Sequence, residues 1–311
     1  MAKRSNPRHG SMQFWPRKRA ARIYPRTRSW PKVDGTRLIG FAGYKAGMTQ
    51  IQLRDNTGST TKGQVITIPV TIIECPPLKP LSLRFYQKTL DGLKLISEIP
   101  TSMQIDKELS RKLTLSKKKS EKTMPEKFDR ATLQVYTQPK LTSLKKKPEV
   151  FEIEISNASQ SSLKGFLEKE IKISDTFKPG QFVDISAVTK GKGFQGPVKR
   201  FGVNLRQKKS EKVKRGPASL GPWRGQQHTM FRIAHAGQMG FHTRTEYNKL
   251  LLKISSDIES INPSSGLQNY GLIKSDFILL KGSIGGVRKR LIRIREPIRS
   301  KSKSIVPELI Q

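Results

Sequence analysis

Gly191-Lys192-Gly193-Phe194-Gln195-Gly196 spells G-x-G-x-x-G directly after a predicted strand, the spacing that lets a chain turn tightly against a dinucleotide pyrophosphate. That chemistry requires a helix to follow, so that free N–H groups meet the phosphates. Here Pro197 comes next, then Val-Lys-Arg-Phe-Gly, and the acid at the right distance, Glu211, lies within Lys-Lys-Ser-Glu-Lys, too polar for a second buried strand. What survives is a flexible loop whose amides and Lys192 approach a phosphate backbone, with a plain tight turn as the alternative. His228, His235 and His242 recur every seven residues, which on a continuous helix would align three imidazoles as metal ligands. Gly237 and Gly240 interrupt such a helix, and no cysteine or paired carboxylate completes a site, so no metal is expected. Among Phe231, Arg232, Phe241 and Arg244, a histidine is better placed to stack on a base or bond a phosphate. Cys75, the single cysteine, lies in an apolar run before Pro76-Pro77 and reads as a small core residue. It excludes an intrachain disulfide and a Cys-rich zinc module. No Ser/His/Asp order stands out, so no catalytic residue, cofactor or small-molecule substrate is expected, and the chain does not read as an enzyme.

The charge balance points elsewhere. Across 311 residues, 60 Lys and Arg face 24 Asp and Glu, a net charge of +36. In a lone compact protein such an excess repels itself, and it favours a polyanionic partner. The excess is concentrated. Residues 1–37 carry 11 bases against Asp34 alone, residues 190–250 carry 14 against Glu211 and Glu246, and residues 281–303 carry nine against Glu296. Aromatic and flat side chains interleave with these bases, as in Phe14-Trp15-Pro16-Arg17-Lys18-Arg19 and in Gly221-Pro222-Trp223-Arg224-Gly225. Trp223 has no apolar periodicity around it to bury it, which suits stacking in a partner. The basic arms hold too little apolar surface to offset chain entropy alone, but they can order against RNA, where Lys and Arg displace counterions. With legs of about 25 residues, the second arm reaches at most roughly 80 Å from the body. No run of 18 apolar residues predicts a membrane span, the basic N-terminus lacks a secretory h-region, and a cytoplasmic location is expected.

The near-neutral remainder must supply the scaffold, and it reads mainly as β structure. Short Ile- and Val-rich runs bounded by Gly, Pro and Asn predict strands at 37–43, 48–53, 64–75, 93–99, 131–137, 150–155, 181–188, 249–254, 277–281 and 290–295. In the last, Arg-Leu-Ile-Arg-Ile-Arg, alternation predicts one apolar and one cationic face. Helices are expected at 159–170, where Leu163, Phe166, Leu167 and Ile171 share a face, and more weakly at 106–115. Residues 78–148 read as an insertion of mixed structure in a sheet domain. Many short strands separated by turns suggest a barrel or sandwich.

Several of these segments together resemble a known family. Pro7-Arg8-His9-Gly10-Ser11, Pro16-Arg17-Lys18-Arg19-Ala20, Gly43-Tyr44-Lys45-Ala46-Gly47-Met48-Thr49, the run from Asp184 through Gly191–Gly196 to Arg200, and Ala236–Thr245 are similar to the motifs of the large-subunit ribosomal protein L three family, in its archaeal and eukaryotic form. The resemblance implies a mainly β fold: a six-stranded Greek-key β-barrel of the translation-protein type with an α+β insertion and long basic extensions. The implied organisation is an rRNA-binding extension at 1–37, the opening portion of the barrel at 38–189 with the insertion at about 78–148, a glycine-rich signature loop and extended basic loop at 190–250, and barrel completion with a basic segment at 251–311. It implies a structural, non-enzymatic constituent of the large subunit that binds 23S-type rRNA directly and acts early in assembly. Trp223 would stand at the tip of a loop running toward the peptidyl-transferase centre. No His follows Trp223 directly, so contacts of the eukaryotic tip need not carry over.

On this reading the RNA-facing residues are Arg4, Arg8, His9, Arg17, Lys18, Arg19 and Arg22 in the first arm, with Lys45 in the body. The signature loop adds Lys190, Gly191, Lys192, Gly193, Phe194, Gly196, Lys199 and Arg200. The long loop contributes Arg206, Lys208, Lys209, Lys214, Arg215, Trp223, Arg224, His228, Arg232, His242 and Arg244. Arg288, Lys289 and Arg290 lie near the C-terminus. The partners implied are large-subunit rRNA and neighbouring ribosomal proteins such as L fourteen, with no membrane and no homo-oligomer. The competing class is a free-standing nucleic-acid compactor or RNA chaperone using the same cations without a fixed site. An RNA-modifying enzyme is a third, for which the sequence offers neither cofactor site nor catalytic constellation.

Overall fold

The structure is a computed structural model, described for residues 9–56, 58–114, 124–157, 163–209, 212–217, 220, 233–299 and 308–309. In chain order its strands are β1 (Arg37–Leu38), β2 (Gly40–Arg54), β3 (Val65–Glu74), β4 (Leu78–Thr89), β5 (Gly92–Pro100), β6 (Arg130–Thr137), β7 (Val150–Ser156), β8 (Phe182–Val188), β9 (Phe194–Gln195), β10 (Gly237–Gln238), β11 (Thr243–Ser255), β12 (Phe277–Lys281), β13 (Leu291–Arg295) and β14 (Glu308–Leu309). A short α-helix, α1, spans Pro197–Phe201. The chain divides into two compact units, one made of residues 1–23 and 188–244, the other of 24–187 and 245–311. The N-terminal stretch 1–37 is thus split at Tyr24.

The larger unit is mainly β, as the Ile/Val-rich runs required. A seven-stranded sheet runs β13-β8-β11-β12-β3-β2-β14, and β13 also pairs with β2, Leu291 opposite Tyr44 and Arg295 opposite Gly40. A five-stranded sheet runs β1-β7-β6-β4-β5 with antiparallel pairing throughout. Phe41, Tyr44, Ile72, Ile73, Leu133, Ile153, Ile185, Leu280 and Ile292 belong to one continuous buried cluster. Each such side chain contributes about 1.5–3 kcal/mol when removed from water. Packing is tight enough to dictate residue type: a Cβ on Gly43 would lie 2.7 Å from the Glu74 carbonyl oxygen and 2.6 Å from an Ile73 methyl. Cys75 is buried here, its thiol pKa pushed up by desolvation, which fits a core residue. Buried Glu74 accepts from the Tyr270 hydroxyl and from the Lys274 and Ser275 amides at 2.8 and 2.9 Å, so its desolvated carboxylate ties a loop to the sheet.

Five expectations are corrected. The predicted strands at 37–43 and 48–53 fall mostly within a single fifteen-residue strand, bulged between Lys45 and Gly47. The insertion contains a twelve-residue strand, β4, unread in the sequence because Pro80 interrupts its pattern; the structure absorbs the proline at a bulge between Pro80 and Ser82. Of the predicted helix at 159–170, residues 159–162 lie outside the described residues, Leu163 is α-helical, and Lys164–Leu167, which contains Gly165, tightens to a 3₁₀ segment. The one predicted at 106–115 is likewise a 3₁₀ turn, Lys107–Arg111, that buries Leu109. Finally, β13 has no cationic solvent face. Arg293 and Arg295 are buried, because each finds partners inside. The Arg293 guanidinium lies 3.9 Å from the Phe151 ring centroid and donates to the Glu152 carbonyl at 2.8 Å, while burial pushes its pKa down to about 9. Arg295 pairs with fully buried Asp184 at 3.3 Å and donates to the Ser29 carbonyl.

Candidate nucleic-acid interface

The smaller unit gathers the glycine-rich loop, the N-terminal arm and the segment around His242. Its local geometry follows from the glycines. Gly193 and Gly240 adopt φ of +67° and +70°, in the left-handed region that side chains resist. Around them Lys192 N–H donates to the Met239 carbonyl and Met239 N–H to the Gly193 carbonyl, both at 2.9 Å. β9 and β10 pair antiparallel, Phe194 opposite Gln238. A short helix does follow the G-x-G-x-x-G, contrary to the expectation from Pro197. Gly196 is its N-cap and Pro197 its first residue, where a missing N–H costs nothing; Gly202, at φ +72°, ends it. The Lys192 amide is spent within the protein. What the loop exposes is its surface: Lys190, Lys192, Phe194 and Lys199 are all exposed, Phe194 by 76%.

Aromatic and arginine side chains join segments some 180 residues apart in sequence. Trp15 stacks on Phe201 with centroids 5.7 Å apart, and the Arg17 guanidinium lies 4.3 Å from the same ring centroid. Arg244 lies over Phe14 at 4.5 Å and Arg19 over Phe241 at 5.5 Å. Ala20 N–H donates to the Phe241 carbonyl at 2.8 Å. Arg200 is the staple: its Nε donates to the Gln238 carbonyl at 3.0 Å, one Nη to the His235 carbonyl at 2.8 Å and the other to the Arg17 carbonyl at 3.0 Å. Each arm alone has no core; together they share this one.

His242 is held as well. Its Nδ1 lies 2.9 Å from the Lys18 carbonyl oxygen, which can only accept, so Nδ1 carries the proton. Burial lowers its pKa below the ordinary imidazole value, and Arg244, Arg200 and Arg17 lower it further against the opposing hydrogen bond to Lys18. The sign follows: with a folded pKa below the unfolded one, the stability that neutral His242 contributes is fully present above about pH 6.5 and is lost as pH falls through the folded value. In an NMR titration of the free protein the His242 ring is expected to titrate below 6.5. A midpoint above 6.5 would contradict the arrangement.

The electrostatics of the unit are one-sided. Among the described residues of 1–23 and 188–244 there is no carboxylate, and every ion pair formed among the described residues lies in the larger unit. Burial lowers the guanidinium pKa of Arg17, Arg200 and Arg244, and the charge of Arg17 lowers the last two further. A polyanion laid on this surface would relieve that repulsion.

The candidate residues therefore sort by place. His9, Lys18, Arg19, Arg22, Lys190, Lys192, Lys199, Lys208, Lys209, Lys214 and Arg215 are exposed in the smaller unit, as is Arg206, whose guanidinium reaches the Pro217 carbonyl at 2.8 Å. Arg17, Arg200, His242 and Arg244 are partly buried and position the others. Lys212, exposed in the same charge run, was passed over in the sequence and belongs with the exposed set. Two candidates are displaced into the fold of the larger unit. Lys45 is buried with its ammonium donating to the Ile284 and Gly286 carbonyls, and Arg290 is buried beside it, its carbonyl accepting from Lys45 N–H at 3.0 Å. Lys289 is exposed in that unit, and Arg288 donates to Gln268 at 3.0 Å. Arg4, Arg8, Trp223, Arg224, His228 and Arg232 lie outside the described residues.

The sequence profile of the Ribosomal protein L3 family matches residues 1–134 and 126–311. The chain is 45% identical to the large ribosomal subunit protein uL3 of Methanobrevibacter smithii, over 98% of this chain and 95% of that protein. It is 43% identical to that of Methanosphaera stadtmanae, over 99% and 97%, and 44% identical to that of Archaeoglobus fulgidus, over 94% and 92%. These relatives are archaeal ribosomal proteins and not enzymes. Matched by the family profile and by these relatives along nearly its whole length, the chain belongs to the Ribosomal protein L3 family.

Proposed function

We propose that the protein is a structural constituent of the large ribosomal subunit, binding 23S-type rRNA through its smaller unit, acting early in assembly, and sending the loop around Trp223 toward the peptidyl-transferase centre. The observation that carries this reading is the absence of any carboxylate among that unit's described residues, beside an exposed face of Lys190, Lys192, Phe194 and Lys199. Phosphates meet the lysines, and the bare ring of Phe194 offers a stacking surface to an unpaired base. In the larger unit, the run β13-β8-β11-β12-β3-β2 with its extra β13–β2 pairing supports a six-stranded barrel of the translation-protein type. The protein enters the particle as a single copy and meets neighbouring ribosomal proteins, L fourteen among them.

Salt dependence alone does not separate this role from nucleic-acid compaction, since neutralising ten phosphates gives a slope of roughly −7 to −9 in either case. Sedimentation does. In sucrose gradients at high magnesium the protein should co-migrate stoichiometrically with large subunits, and removal of 206–232 should spare folding of the β body while impairing assembly or peptidyl transfer. Truncated subunits that assemble and translate normally would refute the role of the loop. A protein spread across the gradient would be a compactor.

A further inference from the structure

The third basic stretch, residues 281–303, lies in the larger unit, outside the RNA-facing surface assigned above. Its bases have different fates. Arg290, Arg293 and Arg295 are buried, and Arg288 donates to Gln268. Arg299 is exposed, its guanidinium 4.4 Å from the ring centroid of Tyr247, which is itself 40% exposed. Buried Arg295 approaches the same ring at 5.9 Å. An exposed stack of this kind is pre-organised for a ligand only where the backbone beneath it is fixed.

Asp184 fixes it. Its carboxylate, fully buried on β8, accepts from the Asn248 amide at 3.0 Å, the Ile298 amide at 3.2 Å and the Arg295 guanidinium at 3.3 Å. Asn248 follows Tyr247 and Ile298 precedes Arg299, so one charged acceptor ties both members of the stack to the sheet. Asn248 adopts φ of +54°, a left-handed break in β11 that asparagine tolerates better than most residues. A guanidinium laid on a ring keeps its N–H edge for a second partner, and that edge matches a phosphate.

Charge selects the ligand. The acids flanking the stack in sequence are already engaged. Glu296 pairs with Arg37 at 2.8 Å, while Glu246 pairs with Lys249 at 3.0 Å and accepts from the Gly285 amide at 2.7 Å. Among the described residues Arg299 forms no ion pair. Beyond it the sequence runs Ser300-Lys301-Ser302-Lys303, with no acid before Glu308. Bases alternating with short serines suit a repeating anion. An acidic peptide would match the charge, but an aromatic-backed guanidinium suits a nucleotide better, giving its edge to phosphate and its outer face to a base. We propose that Tyr247 and Arg299 form a second RNA site, on the larger unit, in which Arg299 binds a backbone phosphate of large-subunit rRNA and Tyr247 positions it. The inference rests on the ribosomal reading above and adds a contact outside the smaller unit.

The test measures binding of the full-length protein to a large-subunit rRNA transcript as a function of salt. Arg299→Gln should make the dependence of log K on log salt shallower by roughly 0.7–0.9, the loss of one phosphate contact. Tyr247→Leu should weaken binding about two- to fivefold at fixed salt with the slope unchanged, while Tyr247→Phe, which keeps the ring, should bind like the unmodified protein. Unweakened binding by Tyr247→Leu would overturn the stacked site. Hydrogen exchange at the Asn248 and Ile298 amides should stay as it was in all three variants, because Asp184 holds them; faster exchange would make the stack a structural element instead. An unchanged slope in Arg299→Gln, beside a shallower one in Lys192→Gln, would overturn this site and leave the surface of the smaller unit standing. Unchanged slopes in both, with a protein that does not co-migrate with large subunits, would overturn the ribosomal reading as well. In purified large subunits, photoreactive benzoylphenylalanine in place of exposed Ile298 should crosslink to rRNA. A crosslink to an acidic segment of another protein, or none, would overturn the RNA assignment.

Discussion

Replacing Gly240 by alanine is expected to cost the smaller unit about 2–5 kcal/mol and to weaken RNA binding by more than about tenfold. Two effects add at this position. Its φ of +70° is one that a side chain resists, and the new Cβ would stand 2.0 Å from the Lys190 carbonyl oxygen, which is backbone and cannot swing aside. The hydrogen bonds that close the loop lie within a residue or two of that carbonyl: Lys192 N–H to Met239, Met239 N–H to Gly193, and Thr189 N–H to His242. Displacing the Lys190 peptide therefore loosens the exposed face that carries Lys190, Lys192 and Phe194. Hydrogen exchange at the Lys192 and Met239 amides should accelerate by the fold-change in local opening, while exchange in β2, β3 and β12 of the larger unit stays as it was. Gly193→Ala is the matched comparison, at φ +67° but with nothing within 4 Å of its added Cβ. It carries only the conformational cost, about 1–2 kcal/mol. Equal effects from the two variants would show that the Lys190 contact is not what Gly240 protects.

The contrast between these glycines marks what the sequence could and could not reveal. That the run 191–196 contains a turn was legible in its glycine spacing. That Gly240 is sterically enclosed was not, since its neighbour Lys190 lies fifty residues away in sequence and only the fold brings them together. Strands were legible wherever Ile and Val alternate against turn residues, as in β3 and β12. They were misread where the rule breaks locally, as at Pro80 in β4. The charge pattern marked three stretches, of which the start of 1–37 and most of 190–250 fall in the smaller unit and 281–303 in the larger, but charge alone does not distinguish an arginine that meets solvent from one spent on carbonyls. Lys45, Arg293 and Arg295 look like any other bases in the sequence, and the structure takes each of them inside because a partner waits there: a pair of carbonyls, an aromatic face or Asp184. The arms likewise looked unable to fold, and each alone lacks a core. Trp15 on Phe201 and Arg200 on three carbonyls supply a joint one, through contacts no local pattern announces.

Arg200 separates positioning from contact most sharply. Its three guanidinium bonds hold the Gln238, His235 and Arg17 carbonyls in one place, a geometry that lysine's single ammonium cannot reproduce. Arg200→Lys keeps the charge, so a phosphate-contact role would leave affinity nearly intact. A positioning role predicts otherwise. Hydrogen bonds to a charged donor contribute about 1.5–3 kcal/mol each when well buried and less at a partly exposed site such as this one, so the loss for Arg200→Lys should be about 2–3 kcal/mol in all. Faster exchange should follow at the Met239 and Lys192 amides, together with RNA binding weakened by about tenfold or more. The dependence of log K on log salt should barely change, because the exposed lysines that displace counterions are all still present. Lys192→Gln should do the opposite. Its side chain is exposed and holds nothing in the fold, so amide exchange stays unaltered while the salt slope becomes shallower by roughly 0.7–0.9. If Arg200→Lys instead reduced the slope by that amount with exchange unchanged, Arg200 would be a phosphate ligand and the joint core of the two arms would have to be held by the aromatic stack alone.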